Sequence, residues 1–141
     1  MNIAVRYQSR GGNTKAVAEA IANELSVKAE PISSPIDEPV DVLYIGGGVY
    51  AWSIDRALID FLNALESNTA KSVAVFSTGG MMSGTGKIAA LVKAKGIAVN
   101  ESALPVKMGF LNYAGSKGGV TLSDKQLRLI ADFVKRSKPL P

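Results

Sequence analysis

Hydrophobic positions along the chain alternate between two periods. Ile3 to Tyr7 places Ile3, Val5 and Tyr7 on one face, the signature of a strand. Asn13 to Leu25 switches to helical spacing, with Val17, Ile21 and Leu25 in line and alanines between them. Val27 to Ile32 is a weaker strand, and Pro31 assigns it to an edge because proline cannot donate to a ladder. Val42 to Gly47 is an unbroken apolar run, which suits a central strand covered on both faces. Asp55 to Leu65 is predicted as a helix with Leu58, Phe61, Leu62 and Leu65 inward and Ser53 as its cap. Ser72 to Ser77 is another buried strand, and Thr85 to Lys95 a helix stopped by Gly96. Leu104 to Phe110 is the fifth strand. A last helix opens on the capping-box pair Ser123 and Gln126 and carries Leu127, Ile130, Phe133 and Val134 as its apolar stripe.

Strand and helix thus alternate throughout, which predicts one α/β domain over residues 1–141 with an open, mostly parallel sheet and helices on both faces. One link departs from the alternation. Between the second and third strands lies SSPIDEPVD, with two prolines and no helical period. Nine extended residues reach roughly 30 Å, against a diagonal on the order of 20 Å if the third strand lies on the far side of the first. Coil can make that crossing.

Composition narrows the chemistry. The 141 residues include no cysteine and no histidine. Disulfides, thiolate nucleophiles, cysteine-ligated clusters, histidine bases and the usual zinc sites are therefore excluded. Sixteen basic against twelve acidic residues leave a net charge of +4. The cations are spread from Arg6 to Lys138, clustering only at Lys135, Arg136 and Lys138, so the expectation is a solvated surface and no nucleic-acid binding. No apolar run is long enough to span a bilayer, and MNIAVRY enters a strand pattern at once, without a signal peptide. The reading is a cytoplasmic protein with no membrane association. Arg6, on a predicted central strand, is expected to lie near the strand end and reach solvent or a carboxylate.

Ligands of such sheets bind beyond the carboxyl ends of the strands, near the switch in strand order. Three loops leave the sheet there. The first, Ser9-Arg10-Gly11-Gly12-Asn13-Thr14, runs from a strand into a helix start. Its glycines let successive N–H groups face one anion, and hydroxyls and an amide add donors where the helix dipole favours negative charge. An ordinary turn with an N-cap would need only one hydroxyl and one glycine, so the larger donor set favours a phosphate monoester. A Rossmann GxGxxG is absent. Gly84-Thr85-Gly86-Lys87 fails as a Walker loop, with Ile88 after the lysine and Met81 at the first glycine position. The carboxylates of a receiver domain and the cysteine of a low-molecular-weight phosphatase are missing too.

The second loop, Gly48-Val49-Tyr50-Ala51-Trp52-Ser53, holds the single tryptophan two residues after a tyrosine. These rings either pack over the next helix or stack on a heteroaromatic ring. In the third, Ser77-Thr78-Gly79-Gly80-Met81-Met82-Ser83-Gly84, small residues allow backbone N–H groups to reach ring carbonyls. Met81 and Met82 either rim that ring or pack into the core. Phosphate at one end and aromatics about a nucleotide's length away describe a flavin mononucleotide (FMN) site, and stacking becomes the favoured reading of the pair.

With these residues the chain resembles the flavodoxin family in its short-chain form, through IAVRYQSRGGNTKAVAEAIA, VLYIGGGVYAWSID and VAVFSTGG. Ser9, Gly11, Gly12 and Thr14 match the family's phosphate loop, while Val49 to Trp52 and Thr78 to Gly80 fall where that family sandwiches its isoalloxazine. The resemblance implies a five-stranded sheet of order 2-1-3-4-5, bound FMN and electron shuttling between redox protein partners, with the chain a monomer or weak dimer. It also implies that the peptide at Ala51 or Trp52 answers the reduction state of the ring. Two departures stand out. Flavodoxins are typically acidic, whereas this chain is basic, which points to partners with acidic surfaces. Ser77 to Gly84 holds no carboxylate, and Arg10 and Lys15 flank the phosphate loop, so a less negative low potential is expected. Rival readings are an NAD(P)H-dependent quinone or FMN reductase, with Leu111 to Gly119 as its extra loop, and a cofactor-free interaction module.

Overall fold

A computed structural model describes residues 2–50, 52–80, 82–109, 112 and 119–139. The elements run β1 (Ile3–Gln8), α1 (Asn13–Leu25), β2 (Ala29–Pro31), β3 (Val40–Tyr50), β4 (Ser53–Ile54), α2 (Arg56–Asn63), β5 (Ala70–Gly79), α3 (Thr85–Lys93), β6 (Ala98–Lys107) and α4 (Asp124–Ser137). Five strands pair in parallel in the order β2-β1-β3-β5-β6. That is the expected order 2-1-3-4-5, with one addition: β4 folds back antiparallel on the end of β3 as a sixth, two-residue strand.

Both faces of the sheet are covered, which is why its central strands read as continuous apolar runs. Val5, Tyr44, Ala74, Phe76, Leu104 and Val106 meet α1 and α4 on one face. Leu43, Ile45, Val73 and Val75 meet α2 and α3 on the other. Tyr44 is fully buried and packs edge-on to Phe133 at 5.8 Å. Its hydroxyl lies 2.9 Å from that of Ser137, which itself donates to the Phe133 carbonyl. Gly46 lies beside Phe76, whose ring atoms come within 2.2 Å of where a Cβ would stand, so this strand position excludes any side chain.

Several boundaries differ from the sequence expectation. Helix α2 is capped by Asp55, whose carboxylate accepts from the Ala57 N–H at 2.8 Å, because Ser53 is taken up in the β4 hairpin. Helix α3 ends at Lys93, and the chain turns through Gly96 at φ +79°. Strand β6 starts earlier than Leu104, at Ala98, and is kept in the ladder by a bulge between its Val99 and Ala103 pairings. It ends at Lys107; Phe110 lies outside the described residues. The capping box of α4 is present, and Ile130, Phe133 and Val134 are buried. Leu127 is instead 43% exposed, since it falls on the flank of that stripe.

Arg6 departs from its expectation in an instructive way. It is only 6% exposed and sits mid-strand in β1, on the face served by α2 and α3. Residues 32–39 form no helix, so the crossover leaves this part of the sheet uncovered by one. Arg6 pairs with Glu30, its register neighbour on β2, at 3.2 Å. It also donates to the carbonyls of Ser34 at 3.1 Å and Pro35 at 2.9 Å, while Ile32 and Ile36 pack on the core alongside. One guanidinium thereby fastens the coil crossover to the sheet, a task its planar fork suits. Arg6→Lys, which keeps the charge but loses the fork, should lower unfolding free energy by about 2 kcal/mol in urea denaturation. A loss no larger than that of an exposed surface substitution would show that the crossover does not depend on Arg6.

Candidate functional site

Parallel pairing brings the three donor-rich loops to one edge. Gln8 of β1 pairs with Gly47 of β3, and Gly48 of β3 with Thr78 of β5, so the three strands end side by side. From β1 the chain turns through Gly12, at φ +96°, directly into α1. The turn is closed by the Gly12 N–H donating to the Ser9 hydroxyl at 3.0 Å. No side chain caps α1, and its first turn holds no carboxylate, so the positive end of the helix dipole stays uncompensated among the described residues.

Thr14 is fully buried in that first turn, its hydroxyl 2.7 Å from that of Thr78 at the end of β5. This pair ties the first loop to the third and uses one of its two hydroxyl protons, leaving the other to donate elsewhere. Gly11 and Gly80 have no heavy atom within 4 Å of a notional Cβ, so both face open space. Between the loops lies a cavity of about 260 Å³, lined by Gly11, Asn13, Gly48, Val49, Tyr50, Thr78, Gly79, Gly80 and Met108. Larger hollows exist at the opposite edge near Arg6 and between the end of β6 and the start of α4, the latter sharing Met108 with this cavity.

The second loop is a hairpin. Tyr50 pairs with Ser53 across Ala51 and Trp52, and Ala51 lies outside the described residues. Tyr50 folds back over Gly48, where a Cβ would come within 2.7 Å of its hydroxyl. That hydroxyl accepts the Arg10 N–H at 3.0 Å, and the Arg10 guanidinium stands 4.1 Å from the ring centroid. Arg10 Nε in turn reaches Asp55 Oδ2 at 2.7 Å, with the Gln8 amide at 3.4 Å from the same oxygen. One ring face of Tyr50 is therefore already occupied by a cation. Trp52 has φ +72° and is 78% exposed. A two-residue hairpin loop calls for positive φ, normally supplied by glycine or asparagine, so an indole here is held against its own backbone preference.

Of the residues expected at the site, Gly11, Asn13, Val49, Tyr50, Thr78, Gly79 and Gly80 line the cavity. Ser9, Gly12 and Thr14 form the turn behind it, Arg10 clamps its side, and Trp52 stands out at the rim. Met82 is 47% exposed, which sets aside its core-packing alternative, and Met81 lies outside the described residues. Two residues went unnoticed. Met108 lines the cavity just past the end of β6, and its N–H donates to the Gly79 carbonyl at 2.9 Å. Asp55 anchors Arg10, a role that the chain's spacing does not announce.

The family model described as the flavodoxin domain matches residues 4–115. The chain belongs to the flavodoxin family. Among solved structures, a flavodoxin from the domain Archaea superposes with a TM-score of 0.75 at 22% identity, covering 99% of this chain and 100% of that one. Oxidised flavodoxin 1 from Bacillus cereus gives 0.68 at 19% identity, with 96% and 98% covered. The rubredoxin oxygen:oxidoreductase of Desulfovibrio gigas gives 0.70 at 13% identity, but there this flavodoxin domain covers 34% of the longer chain and 95% of itself. These likenesses concern the fold. No curated protein matches the chain.

Asp55 caps α2 and pairs with Arg10 at once, and the Ala57 N–H, then Arg10, hold its carboxyl below the ordinary carboxylate range. Because the folded value is depressed, the stabilisation is complete above the ordinary range and is lost as pH falls through the folded value. Asp55→Asn, which retains an acceptor for the cap, should flatten the acid limb of stability below about pH 4. Asp55→Ala should cost about a further 1 kcal/mol at neutral pH through the lost cap. Thermal melts across pH check both.

Proposed function

We propose that this flavodoxin domain binds FMN at the edge formed by its three loops and carries electrons between redox proteins. The observation that carries the proposal is the uncapped start of α1, where Gly12 turns the chain and Thr14 holds the first loop to Thr78. The donor set fits the group. A phosphate monoester supplies the anion that an uncapped helix start and two hydroxyls favour. The open space at Gly11 and Gly80 leaves backbone on both sides of the cavity accessible to a planar ring.

When bound, the flavin supplies one- and two-electron chemistry that a chain without cysteine or histidine lacks. The residues bind and orient it. Ser9 shapes the turn by accepting the Gly12 N–H, Thr14 and the open backbone at Gly11 hold phosphate, and Gly79 and Gly80 approach the ring edge. Trp52 offers an exposed stacking surface at the rim, and Tyr50 a second one on the face that Arg10 does not cover. With Arg10 and Lys15 nearby and no carboxylate from Ser77 to Gly84, the surroundings disfavour a reduced anion less than an acidic site would. The partners face this edge, and the chain works in the cytoplasm. The fold class is shared with reductases, whose extra substrate pocket would fall on Leu111 to Gly119; residues 111 and 113–118 lie outside those described.

Thr14→Val removes a hydroxyl at constant shape. Fluorescence titration of the apoprotein should then show FMN bound about tenfold more weakly, the equivalent of one lost charge-assisted hydrogen bond. Unchanged affinity would remove the phosphate assignment. Trp52→Gly should separate strain from stacking: the unfolding free energy is expected to rise by up to about 1 kcal/mol as left-handed strain is relieved, raising the melting temperature, while FMN affinity falls. A rise in both would show that the indole does not touch the ring.

A further inference from the structure

Every helix carries a cation in its first turn, although α3 and α4 also end on the dipole-favoured cations Lys93, Lys135 and Arg136. The macrodipole favours carboxylates in a first turn and cations in a last turn. Here the first turns carry Lys15 in α1, Arg56 in α2, Lys87 in α3 and Lys125 in α4, with Asp124 the single carboxylate among them. Neither α1 nor α2 has a basic residue in its last turn. Helices α1, α3 and α4 follow parallel strands, and α2 starts after the short β4 hairpin where Asp55 meets Arg10, so these first turns lie at the same edge of the sheet, joined by Lys107 at the end of β6. Lys15, Arg56, Lys87, Lys107 and Lys125 are all exposed.

Of the carboxylates nearby, Asp55 is taken up by Arg10 at 2.7 Å and Asp60 by Arg56 at 3.0 Å, which leaves the exposed Asp124 against Lys15, Lys87, Lys107 and Lys125. Inside this basic rim stand the exposed apolar side chains of Trp52 and Met82, which leave the middle strands β3 and β5. An apolar centre within a charged rim is the anatomy of a transient protein interface. Placement against local helix preference marks a surface kept for something other than stability.

We propose that this edge is a docking face for an acidic redox protein, with Trp52 and Met82 at its centre and Lys15, Lys87, Lys107 and Lys125 steering the approach. The proposal rests on the FMN reading only in calling the partner redox-active. The rim supplies long-range attraction and orientation, and the apolar centre the short-range contact.

The test titrates the full chain by calorimetry against an acidic cytochrome, a basic cytochrome of similar size and a short oligonucleotide, at low and at physiological salt. The acidic cytochrome should bind and weaken with salt, and the basic one should not bind. Lys87→Glu/Lys107→Glu/Lys125→Glu should weaken the acidic complex at least about tenfold, and the corresponding triple Gln variant by an intermediate factor. Lys28→Glu/Lys135→Glu/Lys138→Glu, with the same net charge but altered at the far edge, should keep most of the affinity. Folding does not confound the comparison, because Glu at 87 and 125 agrees with the helix dipole and the rim variant should melt no lower than the parent. Equal losses in the two Glu triples would reduce the effect to net charge and overturn the docking face. So would no binding to the acidic cytochrome, or tighter binding of the oligonucleotide through the same lysines. FMN uptake is read separately by fluorescence, so failure of the flavin reading would leave the cytochrome isotherms unchanged.

Discussion

The in-register parallel ladder of β1, β3 and β5 is the constraint on which the rest depends. Because Gln8, Gly47, Gly48 and Thr78 end together, three loops far apart in the chain open onto one edge. A parallel strand can be followed only by a crossover, and each crossover helix must begin where its strand ends. Helix starts are thereby gathered at that edge, those of α1 and α3 without a side-chain cap. The same geometry that buries Leu43, Ile45 and Val75 concentrates anion-binding capacity at the other end of the strands.

Two side-chain links then make one unit of the loops. The Thr14–Thr78 hydroxyl pair joins the first loop to the third inside the protein, where it is shielded from water. The Arg10–Tyr50–Asp55 clamp joins the first to the second at the surface, where its ion pair is worth less and its stacked geometry more. The buried link sets position; the exposed one can open. In the middle of β1, Arg6 does comparable structural work, holding a crossover that has no helix of its own.

Much of this was legible in order along the chain. Hydrophobic period located every helix, and Asn13–Leu25 and the Ser123–Gln126 box agree with their patterns. The loop from Ser9 to Thr14 stood out because hydroxyls and glycines there are local features, and the structure places it as the turn into α1. The fifth strand was shortened in the reading because Ala98 to Ala103 belongs to a bulged edge, where apolar alternation is weak. Ser53 was a plausible cap on composition, yet Asp55 performs the role, since β4 claims Ser53 first.

Local pattern alone determined the α/β class and the wound sheet and marked a glycine- and hydroxyl-rich turn before α1, because burial on two faces and helix initiation both leave short-range marks. The pairing of Arg6 with Glu30, of Arg10 with Tyr50 and Asp55, and of Met108 with Gly79 was decided only by tertiary structure. Each joins residues on different strands or loops, and no local spacing encodes which polar group will lie opposite which once the ladder has set its register.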